Sequence, residues 1–238
     1  MKKVINKFLK KFGYNIRKTN QYTSPSSEEI LKNYFIKEEK IIIFDIGAHI
    51  GQSAKKYRKF FPNSEIYSFE PFYKSFKLLN SLNLENFRAF NFGMSDEEET
   101  LKLCINKGTA TNSILEFSDS AQDVWDMREE LTTIDTVICK FTTFDTFCEE
   151  NSIENIDFVK IDVQGSEYKV LQGAENLISN NKIKLIQLEV IIGDTYKGQK
   201  SVSYYIELFE SQGYKIESFS DFEYRNGKLV QTDLFFSL

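Results

Sequence analysis

IIIFDIGAHIG, Ile41–Gly51, read together with YSFEP, Tyr67–Pro71, decides how this chain of 238 residues folds. Four apolar residues ending on Asp45 read as a buried strand. Gly47 and Gly51 then open a helix through a turn whose missing Cβ atoms let backbone pass close to a ligand. Glu70 stands 19 residues beyond Gly51, where a second parallel strand would end and a carboxylate could hold two ribose hydroxyls. The pattern is not the G-x-G-x-x-G of dinucleotide sites, because the middle glycine is absent and an acidic residue precedes the turn. Turn glycines and a carboxylate at a strand end each have a plain structural explanation. Together, at this separation, they favour a nucleoside ligand with no pyrophosphate to cradle, which is the character of S-adenosylmethionine (SAM).

Outward from this centre, strand and helix patterns alternate. Strands are expected over Ile41–Asp45, Glu65–Phe69, Phe87–Phe92, Phe158–Val163, Lys184–Val190, Tyr214–Phe219 and Asp233–Ser237. Helices are expected over Ser26–Lys37, Gln52–Phe61, Phe72–Ser81, Glu167–Ser179 and Ser201–Gln212. The unbroken apolar runs suit parallel strands covered on both faces, so the expected class is α/β and doubly wound. Asn226-Gly227, a hairpin signal within the short connection 220–232, makes the last two strands antiparallel. The expected architecture is therefore a Rossmann-like, mostly parallel seven-stranded sheet with an antiparallel last strand, as in class I methyltransferases. In such a sheet the ligand lies at the switch point beside the first strand, over Asp45, Gly47, Ala48, His49 and Gly51. Glu70 and Pro71 follow at the next strand end, and Phe92, Gly93 and Met94 are placed to meet an adenine ring.

Residues 95–156 interrupt the alternation. Leu101–Ile105 and Val137–Phe141 look like extra edge strands of an inserted hairpin, with part of a helix over Ser120–Leu131. Insertions at the ligand edge of a sheet serve as lids or acceptor sites. The domain reading is a basic helical segment, 1–37, followed by a SAM-binding domain, 38–238, that carries the insertion.

Composition narrows the class. With 41% hydrophobic and 15% aromatic residues, the chain can fill one sizeable core. The first twenty residues hold seven Lys and Arg and no acid, whereas the formal net charge is −5, so the body is strongly acidic. An acidic body argues against nucleic acid as a partner, since backbone phosphates need a basic surface. Val4, Ile5, Phe8, Leu9 and Phe12 fall at helical spacing among the lysines of residues 1–18. They form either a short helix packed on the domain or a basic amphipathic helix making peripheral contact with an anionic membrane. No apolar run reaches the roughly 20 residues of a membrane span, and no secretory signal is visible. Cys104, Cys139 and Cys148 contain no C-x-x-C pair and read as reduced thiols of a cytoplasmic protein. A homo-oligomer is compatible with all of this.

DFVKIDVQGSEYKVLQGAENL, Asp157–Leu177, supplies a second constellation. Lys160 and Asp162 share one strand face at the same sheet edge. Gly165 turns the chain, and Ser166 is positioned to cap a helix whose apolar face is Val170, Leu171, Ala174, Leu177 and Ile178. The Lys–Asp pair is either buried and structural, or it sets Asp162 beside a reacting group, with Gln164 and Glu167 nearby. Glu189 would bring a second carboxylate to the edge. Asp162 and Glu189 could hold Mg²⁺ through oxygen, or Asp162 could act as a base without a metal. The second option is preferred because no third carboxylate is clearly placed, so no metal ligands are assigned. His49, the single histidine, is either a polar turn residue or a general base with a suitable unperturbed pKa. The catalytic candidates are thus Asp162, Glu189 and His49.

DIGAHIG, SFEP, NFGMSD (91–96), TTFDTF (142–147) and above all VKIDVQGSEYKVLQGA (159–174) resemble the FkbM family of SAM-dependent methyltransferases. The order and spacing agree across about Ile41 to Val190, and Thr111–Leu115 is similar to the family's serine-rich loop. The resemblance implies a class I methyltransferase fold, SAM as cofactor and, usually, O-methylation of a hydroxyl on a sugar or secondary metabolite. A small-molecule or glycan acceptor follows, with a lipid-linked or nucleotide-linked saccharide as the first expectation. Two positions depart from the pattern: Gln164 stands where the family usually has Glu, and His49 where Asn is common. The rivals are an NAD(P)-dependent oxidoreductase, disfavoured by the missing glycine and the antiparallel end, and a non-catalytic module of the same fold. Within the insertion, Glu116, Asp119, Asp123, Asp126, Glu129 and Glu130 could bond sugar hydroxyls while Trp125 stacks on a pyranose. A solvated helix with Trp125 on its buried side explains the same residues.

Overall fold

The computed structural model describes residues 24–38, 40–126 and 129–238; the basic segment 1–18 lies outside them. Helix α1 (Ser27–Tyr34) starts from a capping box in which the Ser26 hydroxyl accepts from Glu29 N and the Glu29 carboxylate accepts from Ser26 N. Then β1 (Ile42–Ile46), α2 (Gln52–Phe60), β2 (Glu65–Phe69), α3 (Tyr73–Asn80) and β3 (Phe87–Phe90) alternate as the apolar pattern requires. The insertion holds β4 (Gly93–Met94), β5 (Glu99–Asn106), the short α4 (Ala121–Val124) and β6 (Thr133–Thr142). The chain continues through α5 (Phe144–Glu150), β7 (Ile156–Ile161), α6 (Glu167–Gln172), α7 (Glu175–Ser179), β8 (Ile183–Ile191), α8 (Val202–Ser211), β9 (Lys215–Arg225) and β10 (Lys228–Ser237).

Among the described residues the main sheet runs β3-β2-β1-β7-β8-β10-β9. β10 is antiparallel to both neighbours and every other pairing is parallel. This is the seven-stranded methyltransferase sheet expected from the alternation and the terminal hairpin, whose turn is Asn226-Gly227, both at positive φ. One sheet face packs Phe44, Ile46, Val159, Ile161, Ile186 and Leu188 against α5 to α8, and the other packs Ile43, Ile66, Phe158 and Leu185 against α1 and α2.

Four expectations need correction. The segment expected as one helix, 167–179, is broken into α6 and α7. Gly173 passes so close to the insertion that a Cβ there would lie 2.0 Å from the Ser95 carbonyl oxygen. Asp145, at the start of α5, then caps the second piece by accepting from Asn176 N and Leu177 N. Second, 101–105 and 137–141 do not extend the main sheet: with β4 they make a separate sheet, β4-β6-β5. Third, helix in the span 120–131 is confined to α4 among the described residues, and α5 was not anticipated. Fourth, Ser166 does not cap α6; its hydroxyl donates to the Val163 carbonyl. The Glu167 carboxylate does the tying instead, accepting from Val163 N and Gly165 N.

Register creates one unusual feature. On the α1/α2 face, one step beyond the apolar row, Asp45 pairs across to Ser68 and Lys160, and Lys160 to Gln187. Gln187 donates to Asp233 at 2.5 Å. A polar row therefore crosses the sheet under the helices, just behind the ends of the strands.

Candidate active site

At the C-terminal ends of β1, β2 and β7 a cavity of about 270 Å³ opens. β1 and β7 are neighbours there while their connections leave in opposite directions, which is where ligands bind in such sheets. The turn after β1 contributes Gly47, Ala48 and His49, the end of β2 Glu70 and Pro71, β4 Gly93 and Met94, and the end of β7 Lys160, Asp162 and Gln164. The insertion roofs it with Thr109, Ala110, Asn112, Ser113 and Ile114. These roof residues, rather than the acidic ones, face the cleft. Trp125 is 7% exposed and donates from Nε1 to Thr195 Oγ1, so it is a core residue, and the six insertion carboxylates are absent from the wall.

Gly47 has φ +86, and a Cβ on it would stand 1.9 Å from the Asp162 carbonyl oxygen. Only a glycine lets the two strand ends close together here. His49, itself at φ 49, donates its backbone N–H to Glu70 Oε2 at 2.9 Å, and Phe72 N donates to Glu70 Oε1 at 2.8 Å. Two amides thus fix the carboxylate at the rim. Burial pushes Glu70 up to about 7, against the pull of those donors. Beside it, Pro71, Met94, Leu103, Ile114 and Phe141 form an apolar end.

At the opposite end, Asp162 Oδ2 accepts from Lys160 Nζ at 2.6 Å, and Gln164 Nε2 bridges Asp162 Oδ1 (2.8 Å) and Glu189 Oε2 (2.6 Å). Burial opposes ionisation of Asp162, but the Lys160 ammonium and the hydrogen bonds from Glu189 and Gln164 outweigh it and hold the carboxyl below its ordinary range. Burial and the Asp162 charge push Glu189 well above its range. The two carboxyls therefore titrate as a pair, and Glu189 is the one that holds its proton to higher pH. This donor set does not suit Mg²⁺: one oxygen faces an ammonium and an amide occupies the gap between the carboxylates. Among the described residues, no group of three or more His, Cys, Asp or Glu is placed to hold a metal.

Of the residues expected at the site, Gly47, Ala48, His49, Glu70, Pro71, Gly93, Met94 and Asp162 line the cleft, and four do not. Asp45 is fully buried behind the wall in the polar row, with neither carboxylate oxygen hydrogen-bonded among the described residues. Gly51 starts α2, where a Cβ would strike Leu82 and Leu79. Phe92 packs on Phe69, Phe90 and Phe147 in the core. Glu189 sits behind Gln164. His49 lines the cleft with Nε2 2.9 Å from Thr109 Oγ1 of the roof, and burial lowers its pKa, which favours the neutral imidazole.

The carboxyls around the site make stability depend on pH. Burial raises Asp45 and Asp233 to about 6, and Glu70 and Glu167 to about 7. Unfolded, these groups lose their protons near their ordinary values of 3.8 and 4.5. Between those limits the folded state binds more protons, so its stability falls as pH rises. A two-unit shift corresponds to about 3 kcal/mol, and Asp162, depressed rather than raised, titrates below this window and does not offset the sum. The ligand-free protein is expected to melt several degrees higher near pH 5 than near pH 8. Thermal melts across that range check this, and a midpoint that climbs with pH contradicts it.

The family model described as Methyltransferase FkbM domain matches residues 45–216. The chain is similar to the 2-O-methyltransferase NoeI of Sinorhizobium fredii (strain NBRC 101917 / NGR234), with 22% identity over 208 residues, 85% of this chain and 84% of that one. Among solved structures it is similar to precorrin-6y C5,15-methyltransferase from Geobacter metallireducens GS-15, with TM-score 0.46 and 11% identity over 93% of each chain. TrmK of M. capricolum in complex with S-adenosyl-homocysteine gives TM-score 0.46 and 14% identity over 90% of this chain and 69% of that one.

Proposed function

The chain belongs to the FkbM methyltransferase domain family and is a SAM-dependent methyltransferase, and from that premise we propose that it methylates a hydroxyl oxygen of a neutral, hydroxyl-rich acceptor, a saccharide. The observation that carries the reading is Asp162, a carboxylate kept ionised at the cleft wall opposite the Glu70 end. The similarity to a protein described as a 2-O-methyltransferase supports it.

When bound, SAM supplies an electrophilic methyl carbon on a sulfonium. Glu70 retains lone pairs beyond those taken by His49 N and Phe72 N, and with them it would accept from the ribose hydroxyls. Met94, Leu103 and Phe141 would offer the adenine an apolar face, and the Gly47 turn would admit backbone close to the ligand. Asp162 accepts the acceptor's hydroxyl proton; aligning that oxygen supplies much of the rate, and removing its proton the remainder. Thr109, Asn112, Ser113, Gln52 and Ser53 line the cleft with neutral hydrogen-bonding groups. Among the described residues the one lysine of the lining, Lys160, is already paired with Asp162. A phosphate at the reacting end would meet the Asp162 carboxylate with no free cation of the lining left to balance it, so any anionic carrier group lies outside the cleft.

Incubation with methyl-labelled SAM and a panel of neutral glycosides and sugar nucleotides is expected to yield a base-stable labelled ether. A base-labile ester or a labelled amine would overturn the hydroxyl assignment. Glu70→Ala removes charge-assisted bonds to the ribose worth about 1.5–3 kcal/mol, so affinity for S-adenosyl-homocysteine should fall roughly ten- to hundredfold by calorimetry. Unchanged affinity would contradict the ribose role.

A further inference from the structure

Tyr196 belongs to no motif and does not line the cleft, yet it is held from three sides. Its side chain is 1% exposed, its ring stacks on Phe117 of the insertion with centroids 5.1 Å apart, and a Cβ on Gly165 would lie 2.9 Å from its Cδ2. Its backbone N donates to Gln199 Oε1, and Gln199 in turn donates to the Ile191 and Gly193 carbonyls. The hydroxyl is 2.9 Å from the Thr111 carbonyl oxygen and 3.1 Å from Gln164 Oε1. It has one proton to donate. One of the two competing acceptors belongs to the roof of the cleft, the other to the amide bridging Asp162 and Glu189.

We propose that Tyr196 is a positioning residue that ties seating of the roof over the acceptor to the orientation of the Gln164 amide, and through that amide to the Asp162–Glu189 pair. This rests on the role given to Asp162 above. With the roof seated, Thr111 and Phe117 fix the phenol, and the amide settles with its oxygen toward Tyr196 and its nitrogen toward the two carboxylates. The Ser113 hydroxyl, donating to the Gln164 carbonyl at 2.8 Å, holds the backbone of the same residue. When the roof lifts, Tyr196 loses its bond to Thr111 and Gln164 loses the Ser113 bond, while Phe117, bridged to the Tyr196 backbone, stays with the ring. The amide can then turn its oxygen against the Asp162 carboxylate, where like dipole and charge repel. Asp162 is therefore in its working geometry only under a closed roof, when water is excluded.

Tyr196→Phe keeps the ring and deletes the hydroxyl. In the variant bound to S-adenosyl-homocysteine, amide exchange over residues 108–116 should quicken about fivefold, the equivalent of ~1 kcal/mol for one neutral hydrogen bond. The infrared band of the protonated carboxyl, assigned by its disappearance in Glu189→Gln, should shift, while affinity for S-adenosyl-homocysteine stays within about twofold, because no ligand contact is removed. Exchange and band that both match the parent would overturn the proposal. So would exchange that rises across the whole sheet together with a loss of affinity, since the tyrosine would then merely hold the fold. Neither readout needs turnover, so failure here is distinct from failure of the methylation reading.

Discussion

Asp162→Asn is expected to lower SAM turnover by roughly two to four orders of magnitude, the range for a lost general base, while affinity for S-adenosyl-homocysteine changes by less than about threefold, as expected for a group acting only in the chemical step. The size follows from what Asp162 does and what surrounds it. Lys160 holds its carboxylate ionised, so it is ready to accept the hydroxyl proton, and an amide of the same shape cannot accept one. The substitution also changes its neighbour. Glu189 keeps its proton through burial and the Asp162 charge, and with that charge gone it can ionise and balance Lys160. The fold should therefore lose little, about 1–2 kcal/mol. Kinetics beside calorimetry separate the outcomes: parental turnover, or affinity that falls as far as turnover, would remove Asp162 from the chemistry.

Much of this site was legible because its landmarks are local. The β1 turn, Glu70 at the end of β2 and the Asn226-Gly227 hairpin are each specified by residues within a few positions of one another. What escaped depends on parity or on distant partners. Ile41–Phe44 is apolar at every position because both sheet faces are covered, so nothing in the run says whether Asp45 faces the cleft or the helices. The register gives it to the helix side, next to Lys160. Phe92 posed the same problem and fell in the core. At the break at Gly173 the packing partners are Ser95 and Asp145, neither adjacent in sequence. The roof is built by β5 and β6 pairing across the intervening insertion, so Thr109–Ile114 reach the cleft through tertiary structure alone. Tyr196 could not be singled out for the same reason: its partners, Thr111 and Gln164, lie 85 and 32 residues away.

Lys160→Met is expected to destabilise the fold more than any other single change at the site, by about 3–5 kcal/mol near neutral pH, the cost of leaving buried carboxylates without their cation. The ammonium is bonded to Asp162 and attracts Asp45, Glu189 and Asp233 as well. Burial alone would lower its pKa, yet those carboxylates outweigh burial and hold it well above the ordinary lysine value. Methionine fills a similar volume, so the loss is electrostatic rather than a cavity. Without the ammonium, the carboxyls of the polar row and of the pair hold their protons to still higher pH. The folded state then binds more protons than the unfolded one over a wider window, so stability falls more steeply as pH rises. At about pH 5, where most of these groups are already neutral in the fold, the variant should recover much of the deficit. Urea unfolding of parent and variant near pH 5 and pH 8 measures both quantities. An equal loss at the two values would mean that Lys160 acts through packing, and that the row it anchors is not held by charge.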